Sequence, residues 1–595
     1  MVTVLSKTGA QVIVDRLLCE GVSFAFGLCG HGNIGLLNAL YDVQGQIHTV
    51  SVHHEQAAGH MADAYWRVAH RPAVTFTSCG PGSTNIPVAV ASAMMDSSAL
   101  LAITANIPSV QFNRGAFQET YRHYQADFPS VLRPYVKRSF QPTRPDQLPL
   151  VMRQAFLEML GGRPGPVQVD VPLDLFAETV DVGGERPQAV GDSVRIRSAA
   201  EAGQLQAALE TLLGAAHPVI LAGGGTVLSE AEADVRTLAE RLGVPVVSTP
   251  LASGVLPADH PLYFGNVGRN GTFAANEATR NADVILALGV RFDDRMSSSW
   301  IPGYTFEIPP TKLIQVDIDP SEIGRNYPVA VGVLGDARTV VRQLAAELER
   351  RRQPRAGHAE WVKRLEAARQ VWENDRAPLT KTEGLPLHPE RVVATLSRAL
   401  PENALVLSDV GVHHNWLVQR LRVRGPRSFL QSWGFGSMCF AVCGVLGAKL
   451  AAPDRPAVAV CGDGGFLMAA HSVATAVEYD IPAIWVVWNN CGYASIYDLQ
   501  VGAFGPRELA TRFRKQRTGE PVSADFAALA QAMGADGYRV TRPGDLDGAL
   551  AAALAANRPA VIDVPVRSDE RPVPTGGWVL PPLRPFAPAY RPKPG

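Results

Sequence analysis

The stretch from Val458 to Tyr493, VAVCGDGGFLMAAHSVATAVEYDIPAIWVVWNNCGY, constrains this chain's fold more than any other. Val458 to Cys461 is a short apolar, β-branched run and reads as a buried strand. Gly462, Asp463, Gly464 and Gly465 follow as a tight turn. The glycines let the backbone approach a bulky anion, and the carboxylate among them stays free for a hard cation. A helical segment over Ala469 to Tyr479 leads into a second apolar strand, Ala483 to Trp488, ending at Asn489 and Asn490. A strand–helix–strand crossover puts both strand ends on one edge of a parallel sheet. Asp463 and Asn490 are therefore expected at one cation, with Gly492 beside them and phosphate oxygens completing the shell. Mg²⁺ is usually held in this way, by few protein ligands plus ligand phosphates.

A Gly-Asp-Gly turn followed at this distance by paired asparagines resembles the diphosphate–Mg²⁺ motif of thiamine-diphosphate (ThDP) enzymes. A second segment, His53 to Tyr65 (HHEQAAGHMADAY), resembles the glutamate motif of the same family. The resemblance implies that Glu55 hydrogen-bonds a ring nitrogen of the cofactor's aminopyrimidine and favours the imino tautomer that removes the thiazolium proton. That chemistry needs a carboxylate in a largely apolar pocket. A solvated glutamate at a helix start is the plain alternative. Further turns agree in family order. Ser78 to Asn85 is similar to the family's S-G-P-G-x-x-N turn, which puts Gly82 and Asn85 near the cofactor. Gly411, Val412, His413 and His414 match a turn that sits against the diphosphate. Gly436, Ser437 and Met438 match the family's G-x-G-x-M segment, with Met438 as the wedge that bends the cofactor. Gly30, His31 and Gly32 follow a strand, Ser23 to Phe26, and so face a ligand at the sheet's C-terminal edge. A solvated turn histidine is the rival for His31. With Gly462 to Gly465, Asn490, Gly492 and Tyr493, these complete the expected cofactor set.

The chain has 595 residues, enough for three or four domains. Hydrophobic residues are 46% and charged residues 19%, at net charge −1, which suits a globular protein. No basic stripe points to nucleic acid and no long apolar run points to a membrane span. MVTVLSKTGAQ lacks a signal-peptide pattern. The seven cysteines form no CxxC and no zinc spacing, so reduced core thiols and a cytoplasmic setting are expected. The fold class expected is α/β, with three doubly wound parallel-sheet domains: residues 1–180 binding the pyrimidine, 195–345 central, and 386–565 binding the diphosphate. A Gly/Pro linker lies near 180–195, a charged helical connector with a solvated face near 350–385, and a Pro-rich tail over 566–595 is read as an extended arm.

Within the ThDP superfamily the chain resembles the acetohydroxyacid synthase branch. Gly115 to Glu119 (GAFQE) implies a substrate pocket lined by Phe117 and Gln118. Lys137 resembles that branch's pocket lysine, with a surface lysine as the rival. Gly223, Gly224 and Gly225, then Arg291, Asp293 and Arg295, then Asp317 and Ile318, resemble the branch's FAD-binding segments. The physical reading is a glycine turn for a pyrophosphate, arginines for its oxygens and a strand-end carboxylate for ribose. One piece departs: Gly268-Arg269-Asn270-Gly271 stands where those synthases have Gly-Met-His-Gly. FAD stays open, because many relatives keep this domain without a flavin. After Asn490 the chain departs again, with Ser495 and Leu499 where those synthases place methionine and tryptophan. That stretch, Arg512 to Gly519 and Gly30 to Asn33 look more like trihydroxycyclohexanedione hydrolase. The expected function is a ThDP- and Mg²⁺-dependent carboligase acting on a 2-oxo acid. The alternatives are cleavage of a cyclic or linear dicarbonyl compound, and a non-catalytic cofactor-binding paralogue. Family precedent implies a homodimer or homotetramer with active sites between subunits.

Overall fold

A computed structural model describes residues 4–119, 127–183, 188–351 and 357–579. Three parallel six-stranded sheets carry the fold. The first runs, in spatial order, His48–Ser51, Phe24–Gly27, Ala73–Thr77, Leu100–Asn106, Val167–Pro172 and Arg138–Phe140. The third runs Phe429–Gln431, Leu405–Ser408, Ala457–Gly462, Ala483–Asn489, Ala560–Pro565 and Asp536–Arg539. These two sheets share one strand order. The middle sheet differs, with Pro218–Ala222 at its centre beside Val246–Ser248 and Val284–Leu288. The central strands are buried along their whole length, as the continuous apolar runs predict for a sheet covered on both faces.

The first and third sheets meet through two helices, Glu55–Ala69 and Phe440–Ala451. Small residues set their closeness. A Cβ on Gly447 would stand 1.9 Å from the carbonyl oxygen of Met61, and one on Gly444 would stand 3.1 Å from the Cβ of Ala64. Their apolar faces join one buried cluster that includes Ala58, Met61, Ala62, Phe440 and Val445.

Three expectations need correction. The helix after the glycine turn begins at Asp463, not Ala469, and breaks into Asp463–Ala469 and Ser472–Glu478. The charged connector is not merely solvated: helix Ala359–Arg376 buries Trp361, Leu365 and Trp372, and Trp361 Nε1 donates to the Pro218 carbonyl at 3.2 Å. The first part of the Pro-rich tail packs against its own central domain. Thr575 Oγ1 donates to the Gly271 carbonyl at 2.7 Å, and Trp578 Nε1 donates to Asp294 at 3.1 Å. Residues 580–595 of the tail, and residues 120–126 between Gln118 and Lys137, lie outside the described residues. No disulfide joins any of the seven cysteines. Among the described residues no helix is long and apolar enough to cross a membrane.

Candidate functional site

In an open parallel sheet, ligands gather where neighbouring strands send their connections in opposite directions. In the third sheet that point lies between Leu405–Ser408 and Ala457–Gly462. The segments leaving it carry Asp409 to Gly411 and, at the start of a helix, Asp463 to Gly465. Ala483–Asn489 pairs alongside, with Trp488 opposite Gly462, so Asn490 emerges next to Asp463.

Asp463 is 3% exposed. Its Oδ2 accepts backbone N–H groups of Asn490 at 3.2 Å and Gly492 at 3.1 Å, and Oδ1 accepts that of Gly464 at 2.8 Å. Burial pushes its carboxyl up to about 6 against these hydrogen bonds. Asn490 Oδ1 is buried and has no partner among the described residues. A buried carboxylate beside an unspent amide oxygen is an oxygen-only donor set, which fits a hard cation that draws its other ligands from water and phosphate. No cluster of three or more His, Cys, Asp or Glu among the described residues offers a dedicated metal cage. Gly464 has to be glycine here, because its Cβ would stand 2.4 Å from the Tyr493 ring.

Gly411 caps helix Val412–Arg420. His413 and His414 are buried, and the Nε2 of each has no partner among the described residues. Burial lowers His413 to about 4 and His414 well below its usual value, so both rings are neutral. Asp409, read in the sequence only as part of that turn and not as a site residue, lies under the same loops. Its Oδ2 accepts Cys439 N–H at 3.0 Å, its Oδ1 has no side-chain partner among the described residues, and burial pushes it up to about 7. Its position straight after a switch-point strand was the available signal. Met438 is half-buried, and its Cε would lie 3.8 Å from a Cβ on Gly465. Ser437 Oγ lies 3.2 Å from His60 Nε2, and Gly436 has open space around it. Asp96, read in the sequence only as part of Met94 to Ser97 and not as a site residue, fixes this segment. It accepts N–H groups of Trp433 and Gly434, both at 2.9 Å, and is paired with Arg67.

The first sheet gathers its own set. Glu55 starts its helix and is 5% exposed. Asn85 Nδ2 donates to Glu55 Oε2 at 2.9 Å, while Oε1 faces Gly82, 3.1 Å from where a Cβ would stand. Gly30 N–H donates to Asn33 Oδ1, and Gly32 N–H to Ser78 Oγ, tying the two switch-point loops together. Cys79 Sγ lies 3.3 Å from His31 Nε2 and donates to Gln118 Oε1 at 3.5 Å. His31 and Phe117 have ring centroids 5.6 Å apart, and Phe117 is exposed. Gln118, Phe117 and His31 are thus brought together. Lys137 is engaged elsewhere: its Nζ donates to the carbonyls of Gly161 at 2.8 Å and Arg163 at 2.9 Å.

Of the residues expected at a flavin, Gly224, Gly225, Arg291, Asp293, Asp317 and Ile318 line one cleft between the first and central domains. A glycine loop, an arginine and a strand-end carboxylate fit a nucleotide. Gly223 instead serves packing, since its Cβ would stand 2.0 Å from the Gly289 carbonyl oxygen. Arg295 is turned away, lying 4.3 Å over the Trp433 ring and within 3.4 Å of Asn415 Oδ1.

Comparison with known proteins agrees in extent. Family models described as the N-terminal TPP binding domain, the central domain and the C-terminal TPP binding domain of thiamine pyrophosphate enzymes match residues 7–126, 205–344 and 409–564. A probable acetolactate synthase large subunit of Methanocaldococcus jannaschii is 34% identical over 96% of this chain and 94% of its own length. The acetolactate synthase isozyme 3 large subunit of Escherichia coli is 33% identical over 95% of this chain and 96% of its own. The acetolactate synthase large subunit of Corynebacterium glutamicum is 34% identical over 94% and 87%. With three matching domains in order and relatives covering nearly its whole length, this chain belongs to the acetolactate synthase family of thiamine pyrophosphate enzymes.

Proposed function

We propose that the protein is a ThDP- and Mg²⁺-dependent carboligase that decarboxylates a 2-oxo acid such as pyruvate and joins the remainder to a second carbonyl compound. The observation that carries this is the pairing of Asp463, clamped by three backbone N–H groups, with the unpartnered Asn490 Oδ1 at a sheet switch point. Bound ThDP would supply a ring carbon that is a nucleophile once deprotonated, and a cationic ring that serves as an electron sink for decarboxylation.

The chain's own groups do the rest. Asp463, Asn490 and the backbone at Gly492 would hold Mg²⁺. The N-terminus of helix Val412–Arg420 and Gly464 and Gly465, in the first turn of helix Asp463–Ala469, would take the diphosphate. Glu55 would hold a proton on the aminopyrimidine, and its largely buried setting keeps competing water away. Met438 would set the cofactor's bend. Gln118 and Phe117 would face substrate.

FAD is proposed for the cleft lined by Gly224, Arg291 and Asp317, as a structural ligand. The relatives named above are large subunits, so assembly with a small subunit belongs to the same proposal. An active site completed by a second copy's third domain belongs to the same proposal.

The test is incubation of purified protein with ThDP, Mg²⁺ and pyruvate, following CO₂ and acetolactate. Formation of both, dependent on ThDP and Mg²⁺, is the expected result. Absence of CO₂ from every 2-oxo acid tried, with cofactor bound, overturns the reading.

A further inference from the structure

Residues 113–119, which carry Phe117 and Gln118, form turns and no helix or strand. Three of them stand in left-handed backbone: Asn113 at φ 64°, Gly115 at 70° and Gln118 at 65°. For a residue with a side chain that conformation costs free energy, so its surroundings must hold Gln118 there.

The holder is the next residue in the chain. Glu119 is half-buried, and its carboxylate turns back across the loop. Oε1 accepts the N–H of Asn113 at 2.8 Å, and Oε2 accepts those of Gly115 at 2.8 Å and Ala116 at 3.2 Å. Its own N–H donates to the Ala116 carbonyl at 3.0 Å. Hydrogen bonds to an ionised carboxylate are roughly twice as strong as those between neutral groups, so three of them on one side chain make a firm clamp. Asp174 ties the start of the same connection, accepting Ser109 N–H at 3.0 Å.

What the clamp fixes is the Gln118 side chain. It lies across a residue that has none: a Cβ on Gly80 would stand 2.7 Å from the Gln118 Cβ. Its amide oxygen accepts the Cys79 thiol at 3.5 Å. Ala116, whose N–H the clamp holds, packs against Cys79 and Ile107. Cys79 and Gly80 open the turn that continues to Gly82 and Asn85, the two residues beside Glu55.

Resting on the carboligase reading, we propose that Glu119 is a positioning residue, which aims the Gln118 amide at the 2-oxo acid by clamping the loop behind it. Three N–H groups on its carboxylate also offset a negative charge that would otherwise oppose an anionic substrate.

The test is a double-mutant cycle with pyruvate, ThDP and Mg²⁺. Glu119→Gln leaves one acceptor oxygen where there were two, and should lower kcat/KM for pyruvate about tenfold. ThDP affinity should stay within about twofold, which separates a misaimed Gln118 from a damaged cofactor site. In a Gln118→Ala background the same substitution should cost less than about twofold, because no amide is left to aim. Glu119→Asp, with both oxygens on a shorter arm, should fall between parent and Glu119→Gln, and an unchanged thermal midpoint shows that the fold survives. Should Glu119→Gln fail to fold, the cycle run with Glu119→Asp reads the same coupling. Additive losses from the two substitutions, or parent-like kinetics in Glu119→Gln, overturn the inference. A parent that releases no CO₂ from any 2-oxo acid sinks the carboligase reading, and this inference with it. A working parent whose two substitutions act independently sinks the inference alone.

Discussion

The first and third sheets share a strand order, and each sets a buried carboxylate at the first residue of a helix: Glu55 and Asp463. Their surroundings are opposite. Three backbone N–H groups fix both oxygens of Asp463. Glu55 has one side-chain donor, Asn85, on one oxygen, and a bare glycine beside the other. A carboxylate saturated by backbone amides is immobile and suits a permanent cation. A carboxylate with one free oxygen can share a proton with a partner that is absent from its own domain. On the proposed function, the same fold would build a cation ligand in one copy and an acid–base group in the other.

The most severe way to break this contrast is Glu55→Gln. Removal of a general acid–base group should lower kcat about a thousandfold, while ThDP binding, followed by fluorescence titration, stays within a few fold. Equal rates in mutant and parent would take Glu55 out of the mechanism. Asp463→Asn should do the reverse. Weakened charge-assisted hydrogen bonds and a lost cation ligand should weaken Mg²⁺ and ThDP binding about a hundredfold, with activity partly recovered at high Mg²⁺. If Asp463→Asn binds Mg²⁺ like the parent, the cation sits elsewhere.

The strands around both carboxylates were legible because central parallel strands are largely apolar and β-branched, as in Ala73–Thr77 and Ala483–Asn489. The start of the helix at Asp463 was not, since paired glycines read as a turn while the backbone uses the acid to open a helix. Asp96 escaped notice as a site residue for another reason. A lone acid in a sequence says nothing of the Trp433 and Gly434 amides that fold back onto it. Arg269 was visible only as a departure from a motif, because its ring partner, Trp578, arrives from the far end of the chain. Local pattern reveals elements and family motifs; partners far apart in sequence appear only in three dimensions.

Proton concentration tests the cation-side acid next. Burial raises Asp463 from its ordinary value of 3.8 to about 6, so below that pH the folded protein holds it neutral. Cation binding needs the charged form. Mg²⁺ affinity should therefore be steady above about pH 6 and fall up to about tenfold per unit below it, as calorimetry would show. The cation-free protein has the opposite trend and loses stability as pH rises from 3.8 through about 6. A flat Mg²⁺ affinity down to pH 5 would mean that Asp463 ionises as an ordinary surface acid.

The smallest effects come from the glycines that flank the two carboxylates, and they sharpen the comparison most. Gly464→Ala drives a methyl group to 2.4 Å from the Tyr493 ring, a rigid neighbour whose backbone is tied to Thr511. Overpacking of this kind costs about 1–3 kcal/mol, read as a lower unfolding midpoint in denaturant. Gly82→Ala meets only the Glu55 Oε1 at 3.1 Å and the Ser78 Cβ at 3.3 Å, both of which can give by a few tenths of an ångström. Its stability should change by less than about 1 kcal/mol, while kcat falls, because the methyl group crowds the one oxygen of Glu55 that no side chain holds. A variant set in which Gly82→Ala unfolds early and Gly464→Ala does not would reverse the assignment of rigid and poised carboxylates.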